Sequence, residues 1–203
     1  MALPTVGQST LIADELARAV EAHKPGSVAV LGCAGGNGLE RLIGGSARRV
    51  VAVDINPDFA AATEARFRGR IAELEVLVAD VEADSQVFDP VAFIYAALLL
   101  EYVDLDRALS FMRRHCQPGG TLAVLSQMPS TEIAEITPSP YVSLRDLGPA
   151  FRFVSPAELG RRAVAGAFQP IGSRIAVASG GKSFSLQEFR ASRREGGGTP
   201  PRP

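Results

Sequence analysis

The side chains able to do chemistry are few, and most of them exclude themselves by spacing. Cys33 and Cys116 lie far apart with no CxxC or CxxH companion, so neither a disulfide framework nor a zinc site is expected, and no metal is called for. His23 falls at a predicted helix end beside Lys24-Pro25. His115 falls in the last turn of another helix, where a positive charge suits the helix dipole. Neither histidine reads as a base. What remains is a backbone feature and some carboxylates. The stretch VAVLGCAGGNGLERL, Val28 to Leu42, places Gly32, Gly35, Gly36 and Gly38 directly behind an apolar run. Backbone without Cβ atoms lets another group come close. Asp54 closes the next apolar run 22 residues after Gly32, where an acid would chelate the two ribose hydroxyls of a nucleoside. Glu101, in LLLEY, is the candidate general base or anchor for a substrate amine, and Tyr102 a wall of the adjacent pocket.

A dinucleotide site would share the glycines and the acid, but its fingerprint G-x-G-x-x-G does not fit. Counted from Gly32, the second and third glycine positions hold Ala34 and Asn37; counted from Gly36, the third holds Arg41. The second glycine admits a pyrophosphate, so Ala34 counts against a dinucleotide, while a ligand without phosphate would not be troubled by it. Cys33 has no basic partner and fills space, and Cys116 continues an apolar helix stripe.

The elements that must position these residues follow from hydrophobic period. Leu11, Ile12, Leu16, Ala19 and Val20 mark a helix over Ser9 to His23, with Ser9 as its cap. Strands are expected at Ser27–Leu31, Arg49–Asp54, Leu74–Asp80, Val91–Ala97 and Thr121–Gln127. A helical stretch follows the glycines through Leu39, Leu42 and Ile43. Asn56 caps the next helix, with Pro57 at its first position. Asp104 to Gln117 is a third helix, turned into the fifth strand by Pro118-Gly119-Gly120. Met128 to Val154 reads as a long irregular insertion and substrate lid, with Tyr141, Arg145 and Asp146 as its polar or aromatic candidates. Ser155-Pro156-Ala157-Glu158 is a capping box for a helix reaching about Gly166. Ser173–Ser179 and Ser183–Phe189 form an antiparallel hairpin around Gly180-Gly181-Lys182, and a Gly/Pro/Arg-rich tail over 191–203 is expected to be disordered.

Strand–helix alternation with uninterrupted apolar strands gives an α/β fold, a parallel sheet covered on both faces, in one domain over 1–190. The net charge of −1 offers no footprint for nucleic acid. No apolar run is long enough to span a bilayer, and MALPTVGQST lacks the basic start and apolar core of a signal peptide, so a cytoplasmic protein is expected. No signal of oligomeric state stands out.

Taken in order, five segments resemble the class I S-adenosylmethionine-dependent methyltransferases, over roughly Val6 to Phe189. Val28–Gly38 is similar to their glycine-rich first motif, and Val51–Asp54 to the strand ending in the ribose-binding acid. Leu77 to Val81 (LVADV) is similar to the motif whose acid meets the adenine amino group and whose next residue packs on the ring. Phe88–Asp104 resembles their fourth-strand motif, and Arg114–Val124 the helix–PGG–strand that follows. The resemblance implies a Rossmann-like, doubly wound, seven-stranded, mostly parallel sheet with a C-terminal antiparallel hairpin. It implies S-adenosyl-L-methionine as cofactor, held by Gly32, Cys33, Ala34, Gly36, Gly38, Asp54, Ile55, Asp80, Val81 and Ala97, and methyl transfer to a small molecule. A helix beginning near Gly38 would aim its dipole at the methionine carboxylate. Thr5-Val6-Gly7-Gln8 resembles the segment that closes over the cofactor, with Gln8 as a hydrogen-bonding residue. One departure is Val30, where many members carry an acid two residues before the first glycine; carbonyls near Gly32 and Ala97 would take over its contact. A non-catalytic cofactor-binding module and a nicotinamide-dependent oxidoreductase are the competing readings.

Overall fold

The computed structural model describes residues 7–129 and 151–193. Its elements are α1 (Gln8–His23), β1 (Ser27–Leu31), β2 (Arg49–Asp54), α2 (Pro57–Phe67), β3 (Glu73–Val78), β4 (Val91–Ala97), α3 (Leu105–His115), β5 (Cys116–Gln127), α4 (Pro156–Ala165), β6 (Phe168–Val177) and β7 (Ser183–Ala191). The strands form one sheet in the order β3-β2-β1-β4-β5-β7-β6. The first five pair in parallel; β7 runs antiparallel to both β5 and β6. This is the expected doubly wound sheet with its C-terminal hairpin. Tyr141, Arg145, Asp146, Thr5 and Val6 lie outside the described residues, as does most of the expected tail.

The uninterrupted apolar strands are buried on both faces. Val28 and Val30 of β1 join Leu16, Ala19 and Val20 of α1 and Phe67 of α2 on one side. Ala29 and Leu31 join Leu105, Leu109 and Met112 of α3 and Leu159 and Ala163 of α4 on the other. Tyr95, buried in β4, satisfies its hydroxyl by donating to the Ile12 carbonyl at 2.9 Å. Two side-chain contacts fasten α1 to the hairpin: a hydrogen bond between His23 Nε2 and Glu188 at 3.0 Å, and the ion pair of the buried Glu15 with Arg174.

Local chemistry sets the helix starts largely as expected. The Asn56 side chain accepts from the Asp58 N–H at 2.9 Å, and Ser155 Oγ accepts from the Glu158 N–H at 3.2 Å. Two starts differ. α1 begins at Gln8, behind Gly7 in the left-handed region (φ 61°) with no side-chain cap, so Ser9 lies inside the helix. The expected helix after the glycines is a single 3-10 turn, Leu39–Leu42. Leu39 and Leu42 are buried but Ile43 is exposed, and Gly44-Gly45 then stops the turn before an α-helix can nucleate. No α-helix therefore begins at Gly38 to aim a dipole from there.

The glycine loop is packed against the helices on its α1/α2 side. A Cβ on Gly36 (φ 84°) would stand 2.6 Å from the Phe67 ring, and one on Gly38 would stand 3.2 Å from the Ala13 Cα. Glycine at 36 and 38 is thus demanded by close approach to α2 and α1. Gly35, by contrast, faces open space.

His115 corrects another expectation. It is fully buried between Phe88 and Phe111, with ring centroids 4.2 and 4.1 Å away. Its Nε2 accepts from the Val87 N–H at 3.0 Å, which leaves Nδ1 to donate to the Phe111 carbonyl at 2.8 Å. That pair of bonds requires neutral imidazole. Burial, assisted by Arg114, holds its pKa below the ordinary 6.5 against the opposing Phe111 carbonyl. The ring is a neutral core bracket, not a cation serving the helix dipole.

Two outcomes follow. Gly36→Ala should cost at least about 3 kcal/mol in a denaturant titration, from overpacking added to left-handed strain, whereas Gly35→Ala should cost only the strain, about 1–2 kcal/mol. Because the folded-state pKa of His115 is depressed, its contribution is complete above pH 6.5 and is lost as pH falls through the folded value. His115→Gln should therefore lower the melting temperature at pH 7.5 by a few degrees, for about 1–2 kcal/mol, with the gap to wild type narrowing at pH 5.

Candidate cofactor site

The order of strands reverses direction between β1 and β4, and the chain leaves their carboxyl ends in opposite directions. Such a switch point opens a crevice that an open α/β sheet cannot fill with its own connections. The glycine loop borders one side of it and the loop after β4 the other.

Asp54, last residue of β2 and only 7 % exposed, organises the first side. Its Oδ2 accepts from the Ala34 N–H at 2.8 Å and its Oδ1 from the Asn56 N–H at 2.9 Å. The preceding Val53 carbonyl accepts from both Gly32 N–H (2.8 Å) and Cys33 N–H (3.1 Å). The end of β2 therefore holds the loop leaving β1, and Ala34 is bent into a left-handed conformation (φ 43°) with its side chain exposed. Each Asp54 oxygen still has a lone pair for a ligand hydroxyl. Asn37 ties the same loop to the start of α1, donating to the Ser9 carbonyl at 3.1 Å; Gln8, half-buried, precedes that contact. Cys33 is turned inward, with Sγ 3.6 Å from Thr63 Oγ1, and burial raises its pKa.

Beyond Asp54, Ile55 is 67 % exposed, and Val78, opposite Asp54 in the register, is 58 % exposed. They leave apolar surface beside the acid. Asp80 is exposed, with Oδ1 accepting from the Glu82 N–H at 2.8 Å, whereas Val81 turns into the core. Val78 is the residue the sequence reading missed: period alone cannot tell an apolar strand end that is covered from one left open.

On the second side, Ala97 ends β4 half-buried, and Leu98 (φ 54°) turns the chain out of the sheet. Leu99 lies where a Cβ on Gly32 would be 3.3 Å from its Cδ1, so this loop rests on the first glycine turn. Glu101 is not the solvated loop carboxylate its polarity would suggest: it is fully buried, with Oε1 accepting from the Gln127 N–H at 2.8 Å and Oε2 unpartnered. Burial pushes its pKa up to about 7, against the opposing Gln127 N–H and the Arg152 charge. Tyr102 is half-buried, with its ring 5.6 Å from that of Phe151, and it borders a cavity of about 280 Å³ shared with Asp104, Arg152 and Arg162. Phe151 and Arg152 gave no sequence signal, because they re-enter from an aperiodic insertion. Val30 is buried among apolar residues, so no acid lies beneath the first glycine. Among the described residues no helix is long and apolar enough to cross a membrane.

Residues 28–120 match the family model for a methyltransferase domain. No curated protein matches the chain in sequence. Among solved structures, the N-methyltransferase NodS from Bradyrhizobium japonicum WM9, in complex with S-adenosyl-L-homocysteine, is similar at 17 % identity and a TM-score of 0.67, covering 91 % of this chain and 85 % of that one. Magnesium protoporphyrin IX methyltransferase (ChlM) from Synechocystis PCC 6803, with bound S-adenosyl-L-homocysteine, is similar at 12 % identity and a TM-score of 0.69, covering 92 % and 84 %. The [4+2]-cyclase SpnF is similar at 14 % identity and a TM-score of 0.69, covering 89 % and 81 %. At these identities the likeness speaks for the fold. The match to the methyltransferase-domain model runs from β1 into β5, and the seven-stranded topology built around it is the fold of these methyltransferase structures.

Proposed function

We propose that the crevice at the carboxyl ends of β1, β2 and β4 binds S-adenosyl-L-methionine and presents its methyl group to a small-molecule nucleophile near Tyr102. The observation that carries this reading is Asp54, a buried carboxylate fixed by two backbone N–H groups beside an open glycine turn. Its remaining lone pairs suit a vicinal diol, and the exposed apolar surface of Ile55 and Val78 suits the face of a purine. Asp80, with one oxygen uncommitted, is the acceptor for the adenine amino group. With Val30 apolar, the amino end is left to backbone carbonyls at Gly32 and Ala97.

When bound, the cofactor supplies an electrophilic methyl group on a sulfonium. The protein's share is alignment, because an in-line displacement gains most from holding the two reactants at the right distance and angle. Gly32 and Leu99 fix one wall of that approach, and Tyr102 the end where a nucleophile would enter. The weak net charge and the polar cavity beside Tyr102 favour a small molecule over nucleic acid. We assign the protein to the cytoplasm on its cysteine usage, two distant cysteines with no disulfide framework.

SpnF shares the fold under a different activity, so binding and turnover are separate tests. Calorimetry should detect both S-adenosylmethionine and S-adenosylhomocysteine, with Asp54→Ala weakening each by about tenfold or more as a charge-assisted contact and the loop's anchor are lost together. Absence of binding at high micromolar concentration would refute the cofactor assignment. Incubating a metabolite extract with methyl-labelled cofactor should transfer label to a small molecule; binding with no labelled product points to a binding module instead.

A further inference from the structure

Glu101 occupies a place where the sheet runs out of partners. β4 ends at Ala97, and the Leu98 N–H still reaches the Leu125 carbonyl at 2.9 Å, but the chain then turns away. The next inward N–H of β5, that of Gln127, has no β4 carbonyl to meet, and Glu101 Oε1 supplies the acceptor at 2.8 Å. The main-chain carbonyl of the same residue accepts from the Arg152 N–H at 2.9 Å, and Arg152 Nη2 donates to the Val103 carbonyl at 3.0 Å. One residue thus joins the loop after β4 to the end of β5 and to the chain re-entering at 151–154.

We infer that Glu101 is a positioning residue, whose carboxyl pins the 98–102 loop so that Leu99 stays seated on the Gly32 turn and the crevice is preformed. This rests on the crevice being the cofactor site. A general base would need an oxygen open to the nucleophile, whereas both carboxylate oxygens are enclosed and one is spent on the backbone. A buried carboxyl that completes a strand ladder acts through the groups it holds.

Among the described residues, the charged and titratable groups around the carboxyl are Arg152 from the re-entering chain and the neighbouring Tyr102, and β5 offers it the Gln127 N–H. Burial outweighs Arg152, so the pinned carboxyl titrates near 7 and an unpinned one near 4.5. A folded-state value raised in this way makes the pin strongest at low pH, and its strength falls as pH rises from about 4.5 to about 7.

Two measurements test the assignment without a known substrate. In calorimetry with S-adenosylhomocysteine, Glu101→Ala should bind about tenfold more weakly, while Glu101→Gln, which keeps the acceptor for Gln127, should stay within about threefold of wild type. Equal binding by wild type and both variants would overturn the positioning role and return Glu101 to the chemistry. In hydrogen exchange corrected for intrinsic rates, protection of the Gln127 amide should fall several-fold from pH 5 to 7.5 in wild type, stay flat in Glu101→Gln and be lost in Glu101→Ala. Unchanged protection in Glu101→Ala overturns the pin. Should wild type fail to bind S-adenosylhomocysteine, the cofactor reading falls, and the exchange experiment still decides the pin.

Discussion

The glycine side of the crevice is held at the end of β2, where the Asp54 carboxylate and the Val53 carbonyl take its loop amides. A loop with four glycines among seven residues has the most conformational freedom to lose on folding and few side chains with which to hold itself. The end of β2 does the holding. Val53 offers its carbonyl to two loop amides, and Asp54 offers one oxygen to Ala34 and the other to Asn56. Because β1 and β2 are parallel neighbours in register, Leu31 beside Val53, the loop leaves β1 where these acceptors stand. Local freedom and tertiary restraint are matched: a left-handed turn such as Ala34 persists because the surroundings determine it.

The far side of the crevice repeats the device with a different acid. Strand ladders end abruptly at the carboxyl edge of a parallel sheet, leaving amides without acceptors in regions closed to water. Asp54 answers this at β2 and Glu101 at β5, each receiving backbone N–H bonds that no neighbouring strand could accept. The two acids differ in what remains. Asp54 faces the crevice with lone pairs to spare, while Glu101 is sealed and titrates near 7. A carboxylate is thereby left with open lone pairs in one place and enclosed against the backbone in the other.

Much of this was legible in the residue order. β1, β2 and β4 begin and end where their apolar runs do, and Asn56-Pro57, Asp104 and Ser155 start helices by capping chemistry that is wholly local. Reading failed where a segment's state depends on partners distant in sequence. LERLI has helical spacing, yet Ile43 finds no surface to cover and two glycines follow, so one 3-10 turn results. β6 starts five residues before its expected Ser173, because its early half is held by pairing with β7 more than by its own pattern. His115 has the position of a dipole-compensating cation, but Phe88 and the Val87 amide arrive from an earlier loop and make neutral imidazole the better state.

The sequence by itself determined the parallel sheet, the glycine loop and the acid at the end of β2. These depend on period, on missing Cβ atoms and on a charged residue closing an apolar run, all readable within a dozen residues. Only the tertiary structure decided which glycines face helices and which face the crevice, that Ile55 and Val78 stay open while Val81 is covered, and that Glu101 is buried. Those outcomes depend on what packs against each residue from elsewhere in the chain, and burial sets both the protonation state of a carboxyl and whether its lone pairs are free. The spacing of residues along the chain carries no measure of either.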